Sequence, residues 1–261
     1  MQPPDAGKLI DVRTSRTGAA RPIAGRPRRW PIFGAAVMSL VLLAGCSDSK
    51  FTYVSNSSSK TYLKVPKDWK QFQQDELVGA EISAARDANR PSSLIDVLVN
   101  RQYQWRVAFD ADPDPSLDHT VALATEPVVE VSVRQLDPTE REQVSLAALR
   151  NVVVNYDEQK QMAEQAVVDK AVGINGETTT TFRSIDEQEL NLADGVRGVR
   201  LRYVLRPSDS AGFFAFDQTA LVDAKAQRLY VLLIRSGESQ FLQHNGLFTE
   251  IAKSFTVKAK G

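Results

Sequence analysis

The single cysteine of this 261-residue chain, Cys46, constrains the fold more than any other feature. It follows a basic leader and an apolar run of twelve residues, 32–43. A helix that spans a bilayer needs about 20 apolar residues, so this run is too short to be a permanent anchor. With one cysteine, no intrachain disulfide can form. A domain downstream of Cys46 must therefore be stabilised by its hydrophobic core, for which about 200 residues suffice.

The tetrapeptide Leu43-Ala44-Gly45-Cys46 resembles the lipobox of bacterial lipoproteins. Its context is that of an export signal, because seven basic residues precede the apolar run and small residues precede the cysteine. The resemblance implies cleavage before Cys46, a diacylglyceryl thioether on its sulfur, and acylation of the new amino group with a fatty acid such as palmitate. Residues 1–45 are therefore predicted to be a signal peptide. Several acyl chains, at ~0.8 kcal/mol per buried methylene, hold a protein stably on a membrane.

The predicted location is the extracytoplasmic face of the cell membrane, where the lipid anchors a secreted protein of the cell envelope. The pair Arg28-Arg29 leaves twin-arginine export as an alternative, although Pro31 interrupts the apolar residues expected after such a pair. Abundant Ala, Arg, Val and Asp favour a high-GC bacterium with one membrane. A host with two membranes is the alternative.

The part of the chain after the leader is mildly acidic. Without residues 1–45 it has 25 Lys and Arg against 30 Asp and Glu, a net charge of −5. Nucleic-acid binding needs a dense basic surface, so no nucleic-acid partner is expected. Residues 46–60 are predicted to be a flexible tether, because so polar a run buries little apolar area. Residues 51–54 could instead form a short edge strand on the globular domain, which is predicted over 61–261.

Alternating apolar residues predict an antiparallel β-sheet. The alternation indicates strands at 105–109 and 129–133, and hairpins at 182–206 and 213–235. The first hairpin turns at Asp194-Gly195, a dipeptide whose residues tolerate positive φ. Runs of consecutive strands with helices set between them favour an α+β fold over a doubly wound one.

Helical spacing predicts three helices in the same region. An amphipathic helix begins at the capping sequence of Asp137 or at Ser145 and continues to Tyr156. A polar, mostly solvated helix follows over 157–170, and an amphipathic closing helix is predicted over 239–254 before a short final strand.

These segments together resemble the PsbP-like fold over residues 61–257. The resemblance rests on the opening Val65-Pro66-Lys67-Asp68-Trp69, the Asp194-Gly195 hairpin into Val199-Arg200-Leu201-Arg202-Tyr203, the strand pair 214–222 and 229–234, and the terminal segment 247–255. It implies an antiparallel β-sheet flanked by helices on both faces, an α/β/α sandwich. It also implies a binding or assembly module rather than an enzyme.

Signatures of catalysis are missing from the sequence. The chain has two histidines, His119 and His244, each interpreted as a solvated or capping residue. No Gly-x-Ser-x-Gly elbow, phosphate-binding loop, His-Glu-x-x-His helix or dinucleotide fingerprint is present. The sequence therefore predicts a protein that is not an enzyme and that has no cofactor other than the covalent lipid.

An acidic segment offers a candidate cation site. Asp110, Asp112, Asp114 and Asp118, with His119, could bind calcium if the loop folds around the ion. Proline stiffens this run at 113 and 115, and the glycine and distant glutamate of an EF-hand are missing. A solvated turn between two strands is therefore the favoured interpretation.

Four arginines in one predicted strand are a candidate surface for a partner. Arg197, Arg200, Arg202 and Arg206 mostly project from one sheet face, where they could dock an acidic partner or lipid headgroups. The favoured alternative is an exposed face whose arginine stems cover apolar surface.

The function predicted from these features is that of a lipid-anchored module that docks an envelope protein at the membrane surface. One alternative is a carrier of a lipid or another small apolar ligand, which would need a closed apolar cavity. Another is a hydrolase built on two carboxylates, which would need a pocket with converging titratable groups of shifted pKa.

Overall fold

The structure is a computed structural model, and it describes residues 50–100, 103–171, 181–207, 210 and 212–258. The signal peptide predicted over 1–45 and the lipid attachment predicted at Cys46 lie outside the described residues and stay predictions. Within the described ranges, no helix is long and apolar enough to cross a membrane.

Ten strands of the described residues form two sheets. They are β1 (Phe51–Asn56), β2 (Thr61–Pro66), β3 (Lys70–Gln73), β4 (Tyr103–Asp110), β5 (Val128–Gln135), β6 (Phe182–Asn191), β7 (Arg197–Leu205), β8 (Phe214–Val222), β9 (Arg228–Gly237) and β10 (Thr256–Val257). The larger sheet has the order β3-β4-β5-β9-β8-β7-β6, and the smaller sheet has the order β1-β2-β10. All neighbours are antiparallel, which confirms the predicted sheet.

Helices cover both faces of the larger sheet, and the predicted α+β class is confirmed. They are α1 (Gln74–Asp87), α2 (Ser92–Asn100), α3 (Asp118–Val121), α4 (Pro138–Gln143), α5 (Leu146–Arg150), α6 (Tyr156–Ala171), α7 (Glu238–Gln243) and α8 (Asn245–Ser254). We call the face under α7 and α8 the first face, and the face under α1, α5 and α6 the second face.

The first face carries the larger part of the hydrophobic core. Val131 and Leu232 are fully buried there and belong to one cluster with Phe248 of α8. The smaller sheet joins the same cluster through Leu63 and Val257. Alternate residues of β5 and β9 point to opposite faces, so Val231 and Leu233 lie on the second face.

An aromatic cluster forms the core of the second face. The rings of Tyr156 and Phe182 are 5.4 Å apart at their centroids, and those of Tyr203 and Phe216 are 5.0 Å apart. The hydroxyl of Tyr156, the polar end of this side chain, is hydrogen-bonded to Ser184 Oγ at 2.7 Å. Burial raises the pKa of Tyr203, so this side chain stays neutral within the cluster.

The hairpin predicted at Asp194-Gly195 is confirmed. A short 3₁₀ turn at Ala193–Gly195 joins β6 to β7. Asp194 has φ of 59° and Gly195 has φ of 74°, which are the left-handed values that this dipeptide tolerates.

Part of the predicted tether belongs to the smaller sheet. The six residues of β1 pair in register with β2, so the edge-strand alternative for 51–54 is the one observed. The polar turn after β1 is ordered because Asn56 Oδ1 accepts hydrogen bonds from Ser59 N at 2.8 Å and Ser59 Oγ at 2.9 Å. The flexible-tether prediction is therefore wrong for 51–60.

Two of the predicted helices are interrupted. Both proposed starts of the first are real, because Asp137 caps α4 and Ser145 caps α5 through their side-chain oxygens. The chain then leaves the helical conformation until Tyr156 begins α6. The closing helix divides into α7 and α8 at His244, whose amide donates to Gln240 O at 2.9 Å. The polar helix over 157–170 is confirmed as most of α6.

Candidate functional site

The helical layer on the second face has a gap over the middle of the larger sheet. Helix α1 packs on β3 and β4, whereas α5 packs on β7 and β8, and α6 packs on β6. Strands β5 and β9 lie between these two groups of helices. Over them is a cavity of about 860 Å³, which we call the central cavity. This volume is within the usual range for small-molecule sites.

The floor of the central cavity is partly apolar because of strand alternation. Leu229, Val231 and Leu233 of β9 point into it from the second face. Val97 of α2 and Val153, from the segment between α5 and α6, add apolar walls. Half of the described residues that line the cavity are apolar, and the other half are polar or charged.

The polar side is built around Arg106, which is only 4 % exposed. Its Nε donates to Glu130 Oε1 at 2.7 Å, and its Nη2 donates to Glu81 Oε1 at 2.7 Å. Burial acts to lower the pKa of Arg106, but the bonds and charges of Glu81 and Glu130 outweigh it and raise this pKa overall. The guanidinium therefore stays charged.

Two polar atoms of this network lack hydrogen-bond partners within the described part of the chain. They are Arg106 Nη1, a donor, and Glu81 Oε2, an acceptor, and both are buried. A buried polar atom without a partner costs roughly 1–3 kcal/mol. Both residues line the central cavity, but the two atoms have almost no accessible surface, so a molecule in the cavity would supply the missing partners once these side chains turn toward it.

A second arginine enters the central cavity from β9. Arg235 Nη2 donates to the backbone oxygens of His119 at 2.9 Å and Thr120 at 2.5 Å. Burial lowers the pKa of Arg235, Glu130 opposes this shift, and Arg106 adds to it. Among the described residues, no carboxylate lies within 4.0 Å of the Arg235 guanidinium. This arginine is thus held by backbone carbonyls rather than by an acid.

The charges around the central cavity are balanced. Its charged side chains are three arginines and three glutamates: Arg106, Arg134, Arg235, Glu81, Glu130 and Glu140. The described residues that line the cavity include neither histidine nor cysteine. Its groups of shifted pKa are arginines, which do not exchange protons near neutral pH. The site is better suited to hydrogen-bonding a ligand than to acid–base catalysis.

The acidic segment is a turn centred on Asp110, whose side chain is fully buried. Asp110 Oδ1 accepts from Asp112 N at 3.0 Å, and Oδ2 accepts from Ser116 N at 3.0 Å. His119 Nδ1 lies 2.8 Å from the same Oδ2. The His119 side chain is 28 % exposed, so it is only partly solvated; it is bound to Asp110 and belongs to the second residue of α3.

The predicted calcium ligands are not gathered around a common point. Asp114 and Asp118 are exposed, and the Asp110 carboxylate already accepts hydrogen bonds from the backbone of the turn. In the described residues, no group of three or more His, Cys, Asp or Glu side chains is arranged to hold a metal ion. The turn instead positions the backbone oxygens of α3 that bind Arg235.

The four arginines of the candidate partner surface do not form one free patch. Arg200 donates two hydrogen bonds to Asp217, from Nε at 2.8 Å and from Nη2 at 2.6 Å. Arg202 stacks 5.1 Å above the Phe241 ring, and Arg206 stacks 5.4 Å above Phe213. By strand alternation, Arg197 lies on the opposite face from Arg200 and is exposed.

The residues of the central cavity were not identified from the sequence. Arg106 and Glu130 alternate with buried apolar residues, a pattern typical of the water-facing side of a sheet, and Arg235 ends a continuous apolar run. The available signal was that two arginines and a glutamate interrupt the most apolar strands of the chain.

Comparisons with known proteins found similarity in solved structures alone. No family model matches the chain, and no curated protein sequence matches it. The cyanobacterial PsbP protein CyanoP of Synechocystis is 13% identical and matches 84% of this chain and 99% of its own, with a TM-score of 0.42. LpqN of Mycobacterium tuberculosis, involved in cell envelope biogenesis, is 12% identical over 80% of this chain and 91% of its own, with a TM-score of 0.38. The Ran-binding protein Mog1p of Saccharomyces cerevisiae is 12% identical over 79% of this chain and 95% of its own, with a TM-score of 0.34.

Proposed function

We propose that this protein is a non-catalytic binding module that takes a small amphipathic ligand into the central cavity while a lipid on Cys46 holds it at the outer face of the cell membrane. The observation that carries the binding proposal is the pair of buried atoms without partners, Arg106 Nη1 and Glu81 Oε2, in a cavity of ligand size. The anchor proposal rests on the lipobox.

The unsatisfied pair defines the polar end of the ligand. Arg106 Nη1 needs an acceptor and Glu81 Oε2 needs a donor. A hydroxyl, primary amide or carboxylic acid group carries both a donor and an acceptor. The apolar end would lie over Leu229 and Val231 of β9. This is the carrier alternative, with a ligand that is amphipathic rather than wholly apolar.

The two other functions have less support from the geometry. Docking of an envelope protein through the four arginines is weakened because Asp217 occupies Arg200 and Phe241 covers Arg202. A hydrolase in the central cavity would have to use two of Glu81, Glu130 and Glu140, and each of these carboxylates pairs with an arginine.

A matched pair of tryptophan substitutions on α5 tests the binding proposal. Ala147 and Ala148 are both exposed, but only Ala148 lines the central cavity. We expect the full-length protein and its Ala147→Trp variant to retain the same small molecule through purification. The Ala148→Trp variant should lose most of it, because the indole fills space over the cavity. Solvent extraction and mass spectrometry of the purified proteins give the amounts.

Either of two results would contradict this prediction. One is that the parent protein carries no small molecule in native mass spectra or in extracts. The other is that the Ala148→Trp variant carries as much of the molecule as the Ala147→Trp variant.

The lipid anchor is tested separately by metabolic labelling. The Cys46→Ala variant should incorporate no radioactive palmitate and should leave the membrane pellet, because it lacks the sulfur that accepts the diacylglyceryl group. A Ser47→Ala variant is the matched control and should be labelled like the parent. Equal labelling and sedimentation of the Cys46→Ala variant would exclude the anchor.

A further inference from the structure

One side of the described protein concentrates lysine. Three pairs of lysines lie there. The two lysines of each pair belong to different segments of the chain. Lys67 N donates to Lys50 O at 3.0 Å, and Lys258 N donates to Lys60 O at 3.1 Å. Lys64 and Lys253 line one cleft between β2 and α8. We call these residues the lysine face: Lys50, Lys60, Lys64, Lys67, Lys253 and Lys258.

The lysine face has the opposite charge to the rest of the domain. Among the described residues, Glu250 pairs with Lys64, and Asp68 lines a notch with Lys50 and Lys67. The lysines therefore exceed these acids by four charges. The chain after residue 45 has a net charge of −5. So uneven a distribution gives this side a strongly positive field.

Exposed aromatic rings share the lysine face. Tyr53 is 69 % exposed and Tyr62 is 39 % exposed. The register pairs Tyr53 with Lys64, so both point to the outer side of the smaller sheet, while Leu63 points to the core. Lys258 Nζ lies 5.2 Å above the Tyr62 ring. Tyrosine beside lysine is typical of surfaces that contact lipid headgroups.

An apolar notch opens at the edge of the same face. Phe51, Pro66 and Leu247 line it, and Lys50 and Lys67 stand at its rim. Its volume is about 690 Å³. Apolar side chains behind a rim of lysines match the boundary between headgroups and acyl chains.

The predicted attachment point lies close to this face. Lys50 is the fourth residue after Cys46, and a fully extended chain of four residues spans at most about 14 Å. A lipid on Cys46 would therefore keep Lys50 and its neighbours within roughly that distance of the bilayer, near the range over which headgroup charge is felt.

We infer that the lysine face docks on anionic lipid headgroups and fixes the orientation of the domain on the membrane. This inference rests on the lipid anchor of the proposed function. The smaller sheet and α8 pack on the first face of the larger sheet, whereas the central cavity lies on the second face. Docking would therefore turn the cavity away from the bilayer.

Amine footprinting on vesicles tests the docking. The parent protein is purified from its membranes and reconstituted into phosphatidylcholine vesicles with or without 30% phosphatidylglycerol. The floating fraction is treated with an acetylating reagent, and the rate at each lysine is measured by mass spectrometry. Lys67, Lys253 and Lys258 should react at least about fivefold more slowly on anionic vesicles, because a lysine is held at an anionic surface by a factor of this order. High salt should remove the protection.

Two lysines of the same molecule are internal controls. Lys160 lies on α6, on the second face, and Lys225 lies in the turn between β8 and β9. Both should react equally on the two kinds of vesicle. A Lys67→Gln, Lys253→Gln, Lys258→Gln variant should also lose the protection of Lys50. An Arg86→Gln, Arg90→Gln, Lys225→Gln variant loses as much charge elsewhere and should keep it.

The outcomes separate docking from anchoring. If the protein floats with both kinds of vesicle and its lysines are protected only on the anionic ones, both proposals are supported. If it floats with both but the lysines react equally on both, docking is overturned and the anchor is retained. Flotation and protection on anionic vesicles alone support docking and overturn the anchor. Flotation on neither overturns both. Protection seen in native membranes but not on anionic vesicles would assign the face to an acidic protein and overturn docking on lipid.

Discussion

Replacing Asp217 with alanine is expected to lower the free energy of unfolding by about 3–5 kcal/mol. Asp217 is 1 % exposed and accepts two hydrogen bonds from Arg200. Those bonds raise the pKa of Arg200 against the effect of its burial. Arg202 Nε lies 3.6 Å from the same carboxylate. Removal of Asp217 would leave two cations facing each other under α7 and α8 without an anion.

Urea denaturation measures the loss, and we expect the midpoint to fall by roughly 1–2 M. A double variant, Arg200→Leu with Asp217→Leu, is compared with the single variant because it removes both charges of the ion pair. It should be less destabilised than the Asp217→Ala variant, since apolar replacement of a buried ion pair is often nearly neutral. A loss below about 1 kcal/mol for Asp217→Ala would show that this ion pair is not a stabilising element.

The second large effect is expected at Gly198, where strands β7 and β8 approach too closely for a side chain. A Cβ atom at this position would lie 1.9 Å from Ala220 O and 2.9 Å from Leu221 Cα. Ala220 and Leu221 belong to β8, which pairs with β7 residue by residue. Relief of the clash requires separation of the two strands. We expect Gly198→Ala to cost about 3 kcal/mol or more in unfolding free energy.

The same substitution at another glycine should have the opposite sign. Gly79 lies inside α1, and a Cβ atom there would meet nothing within 4 Å. Gly79→Ala should therefore stabilise the protein by about 0.5–1 kcal/mol, because alanine is the better helix former. Thermal unfolding of the two variants and the parent checks both signs. Equal stability of the Gly198→Ala variant and the parent would contradict the close approach.

The local features of this fold could be predicted because each depends on residues adjacent in the chain. The Asp194-Gly195 turn needs two residues that accept positive φ, and the caps at Asp137 and Ser145 need one side-chain oxygen each. The alternation of β5 needs only a sheet with a buried face. The break between Ser145 and Tyr156 could not be seen, because an apolar stripe at helical spacing does not show where a helix stops.

The central cavity depends on distances that no local pattern contains. Glu81 comes from α1, Arg106 from β4, Glu130 from β5 and Arg235 from β9. In sequence Arg106 and Glu130 have the alternating pattern of water-facing residues. Glu81, Arg106 and Glu130 meet in a buried network because α1 covers β4, and Arg235 is held beside them by the backbone of α3. The residue types were visible, but their burial was not.

The acidic segment also has one feature that the sequence predicts and one that depends on tertiary packing. The sequence indicates a turn rich in carboxylates, and a turn is present. That Asp110 is buried and binds His119 follows from the end of β4 lying under α3. The segment thus becomes the support for the backbone oxygens that hold Arg235.

The amino-acid sequence by itself determined the antiparallel strands, the tight hairpin, the helix caps and the requirement for a core without disulfides, since each follows from short-range sterics, hydrogen bonding or a residue count. Only the tertiary structure decided that the helices of the second face leave a cavity over β5 and β9, and that distant lysines converge on one side. The burial of a residue and the net charge of a surface both depend on elements far apart in the chain. They are therefore determined only when packing brings those elements together.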